Sequence, residues 1–228
     1  MLSKMERLKM NYKYKKITVL TGHYGCGKTN LAVNLALDME QYGKVSVVDM
    51  DIVNPYFRAA DFKGKFPESN IEIICPPYAN TNLDIPVLNF DIERIAKESD
   101  FVVIDVGGDD AGAYALGRYR SVFEKYAGET EIIYVFSMYR GPKITAEETA
   151  EIMYEIENAC KIKCTALVNN SNLGAETVYR TVGESEEFSC KVSELTGLPQ
   201  IFRCVPADIK ENGNNDFPVR RLVRLPWE

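Results

Sequence analysis

The chain has 228 residues, 46% of them hydrophobic, and 33 acidic against 27 basic side chains give it a formal charge of −6. That length is enough for one substantial core, and no apolar stretch reaches the roughly 20 residues of a membrane span, so a cytoplasmic protein is expected. Six cysteines, at positions 26, 75, 160, 164, 190 and 204, form no C-x-x-C pair, which removes the usual support for a zinc ribbon, a thioredoxin-like motif or a cluster scaffold and suits reduced thiols.

Charge is unevenly spread. Residues 1–16 carry Lys4, Arg7, Lys9, Lys13, Lys15 and Lys16 against Glu6, a local +5 that leaves −11 on the rest of the chain. An acidic body gives no strong nucleic-acid signal, because phosphate backbones are bound by clustered positive charge. Residues 1–15 are expected to be a basic, solvated extension without a secretory h-region, and residues 16–228 a single domain.

The first element is a strand over Lys16–Leu20. It runs into Gly22-His23-Tyr24-Gly25-Cys26-Gly27-Lys28-Thr29, and Asn30-Leu31-Ala32-Val33 then opens a helical pattern. This is a complete G-x-x-x-x-G-K-T loop in the strand-loop-helix setting that the motif requires. Its glycines let backbone N–H groups wrap a di- or triphosphate, and the following helix N-terminus adds positive potential. Lys28 would reach the β- and γ-phosphates, the Thr29 hydroxyl would ligate Mg²⁺, and Asn30 beside them is counted with the loop residues that bind the nucleotide. Cys26, at a helix N-terminus near Lys28, is either a reactive thiol or a small residue tolerated where the loop uses its backbone.

Further apolar runs at Val45–Val48, Ile71–Cys75, Phe101–Ile104, Glu131–Phe136, Thr165–Val168 and Gln200–Val205 predict strands. Helical patterns begin near Asp91, Tyr114, Thr145, Glu176 and Phe188. The alternation indicates an α/β fold of three layers, with a mostly parallel sheet of about seven strands flanked by helices. Ligands bind such sheets beyond the carboxyl ends of the strands, so the polar residues there are the candidates for function.

After the second strand comes Asp49-Met50-Asp51. Asp51 is the candidate to orient an attacking water or contact Mg²⁺, since carboxylate oxygen is the hard ligand this ion takes; a turn or cap role is the alternative. Asp49 reads as a supporting carboxylate. Asp105 ends an apolar strand as a Walker B acid would, near Mg²⁺ and opposite Thr29, and Gly107-Gly108 lets the backbone approach a γ-phosphate. Asp109 and Asp110 read as helix-capping or solvated residues. The strand ends Asn169-Asn170 and Pro206-Ala207-Asp208 offer amides, backbone groups and a carboxylate for a purine edge, and are also ordinary turn residues. The terminal stretch 217–227 mixes arginines with apolar residues and is expected to pack on the body or on a partner.

Together the loop Gly22–Thr29, Asp49-Met50-Asp51, Asp105 with Gly107-Gly108, Val168-Asn169 and Pro206-Ala207-Asp208 resemble the MinD/ParA branch of P-loop ATPases, over about residues 16–210. That branch is itself similar to dethiobiotin synthetase and to cobyrinic acid amide synthase nucleotide domains. The resemblance implies bound ATP with Mg²⁺, Asp51 positioning water, Asp105 as Walker B, and Asn169 and Pro206–Asp208 near adenine. In dimerising relatives the second loop position is a lysine that reaches the partner's nucleotide; here it is His23, which lacks that permanent charge and leaves a nucleotide-dependent homodimer open. His23 either contacts phosphate or fills space beside Tyr24. As the only histidine in the chain, it also excludes Ser-His or Cys-His nucleophilic chemistry elsewhere.

Three functions fit these residues. One is an ATP-driven switch read by a homodimer or a protein partner. Another is a small-molecule ligase or kinase with Asn54, Tyr56, Arg58 and 76–82 lining an acceptor pocket. The third is a nucleotide-binding assembly module with little hydrolysis. ATP is expected over GTP on the resemblance and because no Asn-Lys-x-Asp guanine-reading segment stands at Asn169-Asn170.

Overall fold

A computed structural model describes residues 12–51, 69–75, 90–140, 144–209, 213 and 215–222. Eight strands form one sheet: β1 (Ile17–Thr21), β2 (Val45–Met50), β3 (Glu72–Ile74), β4 (Phe101–Val106), β5 (Thr130–Phe136), β6 (Ala166–Asn169), β7 (Gln200–Pro206) and β8 (Asp216–Val219). Their order is β3-β2-β4-β1-β5-β6-β7-β8, and every neighbouring pair is parallel. All carboxyl ends therefore open on one edge.

Among the described residues the helices are α1 (Lys28–Met39), α2 (Ile92–Glu98), α3 (Asp110–Gly117), α4 (Arg120–Lys125), α5 (Ala146–Cys160), α6 (Tyr179–Glu184) and α7 (Glu186–Thr196). They divide between the two faces because side chains alternate along each strand. Ile17, Val19, Val48, Met50, Val102 and Ile104 pack on α3, α4 and α5, whereas Leu20, Val45, Val47, Val103, Ile133 and Val135 pack on α1. The same alternation decides where the acids go. Asp49 lies two residues beyond Val47 and Asp105 two beyond Val103, so both fall on the α1 face, side by side in register.

The expected helix starts hold where a polar cap defines them. Asp91 accepts from Arg94 N–H at 2.9 Å, and Thr145 with Glu148 forms a capping box at the start of α5. Asp109 caps α3, accepting from Gly112 N–H at 2.8 Å, so the helix expected near Tyr114 starts four residues earlier. A break at Arg118–Tyr119 separates it from α4. The helical pattern from Glu176 resolves into a short 3₁₀ turn at Gly174–Glu176 followed by α6.

The eighth strand is an addition to the expected seven. Pro218 hides it in the sequence, but β8 is the sheet edge, where a missing N–H costs no ladder bond on the outer side. Beyond it, residues 220–222 run along α1. Asn34 and Asn30, one turn apart, accept from Arg220 N–H and Leu222 N–H at 2.8 Å each, and both amides donate to the Arg220 carbonyl at 2.9 Å. Two side chains thus offer the tail the hydrogen bonds that a neighbouring strand would. Among the described residues no helix is long and apolar enough to cross a membrane.

Candidate active site

The phosphate loop joins β1 to α1 at the centre of the sheet. Gly22, Gly25 and Gly27 have φ of 145°, 72° and 83°, in the region where L side chains are strained. Two of them are also sterically required: a side chain at Gly22 would overlap the Val135 carbonyl, and one at Gly27 would lie 2.5 Å from the Asn170 amide nitrogen. Gly27 caps α1 without a side-chain bond, and the first turn of α1 holds no acid. The helix thus presents its N–H groups and its positive end to the loop.

Lys28 is buried, and its Nζ donates to the carbonyls of Gly22 at 2.9 Å and His23 at 3.0 Å. Thr29 lies beside Asp105 and favours its charged form. The Asp105 oxygen Oδ1 is buried with no hydrogen-bond partner among the described residues. Burial, more than any neighbour, raises the Asp105 carboxyl to about 6, with Thr29 and Lys28 opposing and Asp51 adding to the rise. Asp49 is also pushed well up, first by burial and then by Asp105, although its Oδ1 accepts from Asp51 N–H at 2.9 Å. Asp51 lies where β2 ends, with Oδ1 3.4 Å from the point a Gly107 Cβ would occupy.

These features fit a magnesium nucleotide. An orphaned buried carboxylate oxygen beside a hydroxyl and further carboxylates is a set of hard oxygen donors short of one cation. Among the described residues no three acidic, thiol or imidazole groups converge on one metal point.

Gly107 and Gly108 close over this group. A side chain at Gly108 would sit 2.5 Å from Tyr24 Cα and backbone N, and 2.8 Å from Lys28 Nζ, so the loop after β4 lies directly against the phosphate loop. Gly112 in turn packs on the Gly107 carbonyl.

The remaining candidates divide. His23 is half-buried with Nδ1 donating to the Tyr24 carbonyl at 3.1 Å. Cys26 is 2% exposed, and burial raises its thiol despite Lys28 and Arg140, so the reactive reading loses its ground. The Asn30 side chain is engaged with the tail. Asn169 is buried, donating to Ser185 Oγ at 2.9 Å and accepting from Ser171 N–H at 3.0 Å. Its neighbour Asn170 reaches the loop, donating to the Cys26 carbonyl at 2.6 Å. Pro206 ends β7 and the exposed Asp208 stands in the turn after it, on the same edge but three strand spacings from β1, about 14 Å away. The acceptor candidates Asn54, Tyr56, Arg58 and 76–82 lie outside the described residues.

One contact is absent from the sequence motifs. The Arg140 guanidinium lies over the Tyr24 ring, 5.1 Å from its centroid, and Nε donates to the Tyr24 carbonyl. The available signal is position alone, since Ser137-Met138-Tyr139-Arg140 is the polar end of the strand beside β1.

No protein-family model and no curated protein matches the sequence. The fold does match solved structures. The FtsY protein of Mycoplasma mycoides is 20% identical, with 87% of this chain aligned to 62% of that one at a TM-score of 0.54. Chloroplast FtsY of Physcomitrella patens is 14% identical over 96% of this chain and 66% of its own, at 0.56. The signal recognition particle receptor FtsY of Elizabethkingia anophelis, described in complex with GDP, is 19% identical over 86% and 59%, at 0.53. The chain thus spans about three fifths to two thirds of the structures it resembles. At these identities the likeness is one of architecture, and the architecture is the three-layer α/β fold of the P-loop NTPases.

Proposed function

We propose that the chain is a Mg²⁺-dependent ATPase working as a nucleotide switch of the MinD/ParA kind. The observation that carries this reading is the partnerless buried Asp105 oxygen beside Thr29, facing a loop whose helix N-terminus is uncapped. In this reading Lys28 exchanges the Gly22 and His23 carbonyls for the β- and γ-phosphates, while the loop N–H groups wrap the anion. Thr29 and Asp105 hold the metal, Asp51 orients the attacking water, and Mg²⁺ when bound neutralises charge on the phosphates. Gly107-Gly108, already against Tyr24 and Lys28, senses the terminal phosphate, and its displacement passes through the Gly112 contact to α3.

ATP is preferred because Asn169-Asn170-Ser171-Asn172 lacks a guanine-reading Asn-Lys-x-Asp pattern. GTP is the second reading, favoured by the fold shared with the FtsY structure described with GDP. Asn169 and Pro206–Asp208 are the proposed neighbours of the base.

Hydrolysis assays and light scattering with Mg-ATP and Mg-GTP test the proposal. Hydrolysis of ATP in preference to GTP, with particle mass rising in the triphosphate state, is the expected result. Turnover that stays at zero until an acid or alcohol is added would replace the switch with a ligase or kinase.

A further inference from the structure

The carboxyl end of β5 brings to the phosphate loop a cation that the motif does not contain. Arg140 N–H donates to the Ser137 carbonyl at 3.3 Å, closing a turn, and Met138 N–H donates to Ser171 Oγ at 2.9 Å, fixing that turn beside the end of β6. From there the guanidinium covers the Tyr24 ring, bonds the Tyr24 carbonyl and fills the space where a side chain at Gly25 would stand. Arg94, Arg120, Arg180 and Arg203 each pair with a carboxylate. Arg140 has no such partner among the described residues. Together with the two bonds from Lys28, three successive loop carbonyls, of residues 22, 23 and 24, accept from cations. A carbonyl satisfies little of a five-donor fork, which a phosphate engages bidentately.

We propose that Arg140 is a second phosphate-binding cation, supplied by the same chain, whose guanidinium exchanges the Tyr24 carbonyl for the terminal phosphate of a bound nucleoside triphosphate. It restores beside the loop the charge that His23 does not carry at its second position. The inference rests on the phosphate-loop reading. In hydrolysis a water oxygen bonds to the terminal phosphorus as the bond from that phosphorus to the bridging oxygen breaks. The electron pair leaves on the nucleoside diphosphate, and the proton of the water ends on inorganic phosphate. Charge develops on the oxygens around that phosphorus, where an arginine contributes about 10³–10⁵ in turnover in related chemistry.

The test is calorimetric binding of a non-hydrolysable Mg-ATP analogue and of Mg-ADP, with single-turnover hydrolysis alongside, for Arg140→Ala and Arg140→Gln. Glutamine keeps a stem and a donor for the Tyr24 carbonyl without the charge. Both variants are expected to bind the triphosphate analogue about tenfold or more weaker, to bind Mg-ADP within about twofold of the parent, and to lose about 10³-fold in turnover. Equal loss for both nucleotides, no loss, or rescue by Gln would make Arg140 a packing residue and overturn the proposal. Lys28→Ala separates the two claims. If it abolishes binding while the Arg140 variants behave as the parent, the loop reading stands and the arginine proposal alone fails; if it changes nothing, the loop reading itself fails.

Discussion

The carboxyl edge of the sheet has two halves built on opposite terms. On β2, β4 and the loop after β1, the polar groups are ionisable and one is left unsatisfied: Asp49 and Asp105 are buried carboxyls pushed up by desolvation, and among the described residues Asp105 Oδ1 has no partner. On β6 and the segment after it the polar groups are neutral and satisfied. Asn169 bonds Ser185 and Ser171, Asn170 bonds Cys26, and Ser185 donates to the Val182 carbonyl at 2.7 Å. On the proposed reading, the first half holds interactions in reserve for a ligand, at a cost to the free protein. The second half spends its hydrogen bonds inside the fold and supports the loop from behind. A group that must change partners is left short of one, and a group that must stay put is not.

The largest effect that sharpens this contrast is on turnover. Asp51→Ala is expected to lower ATP hydrolysis about 10²–10⁴-fold while leaving equilibrium binding of the nucleotide near that of the parent, read by single-turnover kinetics beside calorimetry. Unchanged hydrolysis would remove Asp51 from the role of positioning water.

The next effect is on stability, and its sign differs between the halves. A carboxyl whose pKa in the fold lies above its unfolded value costs stability in full above that folded value, progressively less between the two values, and none below the unfolded value. Asp105→Asn should therefore stabilise the nucleotide-free protein by about 1–3 kcal/mol at pH 7–8, with the advantage shrinking as pH falls through about 6 and vanishing near 4. Urea midpoints across that range check it. Glu131, raised to about 7, is present in both proteins and drops out of the difference.

In the other half the same kind of change should hurt. Asn169→Ala strands the Ser171 N–H and a Ser185 bond in a buried setting, and is expected to lower stability by about 1–3 kcal/mol without pH dependence between 5 and 8. If Asn169→Ala stabilised the protein and Asp105→Asn weakened it, the division between reserve and support would be reversed.

Much of this site is local in the chain and therefore legible in the sequence. Gly22–Thr29 is one contiguous run, and the helix starts at Asp91 and Thr145 announce themselves by caps three residues from what they bond. Asp51 and Asp105 follow from the rule that strand ends carry function. What the sequence conceals is pairing across the fold. Arg140 meets Tyr24 across 116 positions, Asn170 meets Cys26 across 144, and Asn30 meets Leu222 across 192. In each case an ordinary residue type gains its role from a neighbour that only the topology supplies. Asn30 shows the cost in the other direction: adjacency to Thr29 marks it for the nucleotide, while the tail takes its side chain.

The central claim is that the reserve half exists for a magnesium nucleotide. Its most direct test is calorimetric titration of the parent protein and of Lys28→Ala with a non-hydrolysable ATP analogue, with Mg²⁺ and with chelator. The account predicts Mg²⁺-dependent binding to the parent and at least a hundredfold loss in Lys28→Ala, because two or more charge-assisted phosphate bonds disappear at about 1.5–3 kcal/mol each. Equal affinity in the two proteins, or binding indifferent to Mg²⁺, would contradict it.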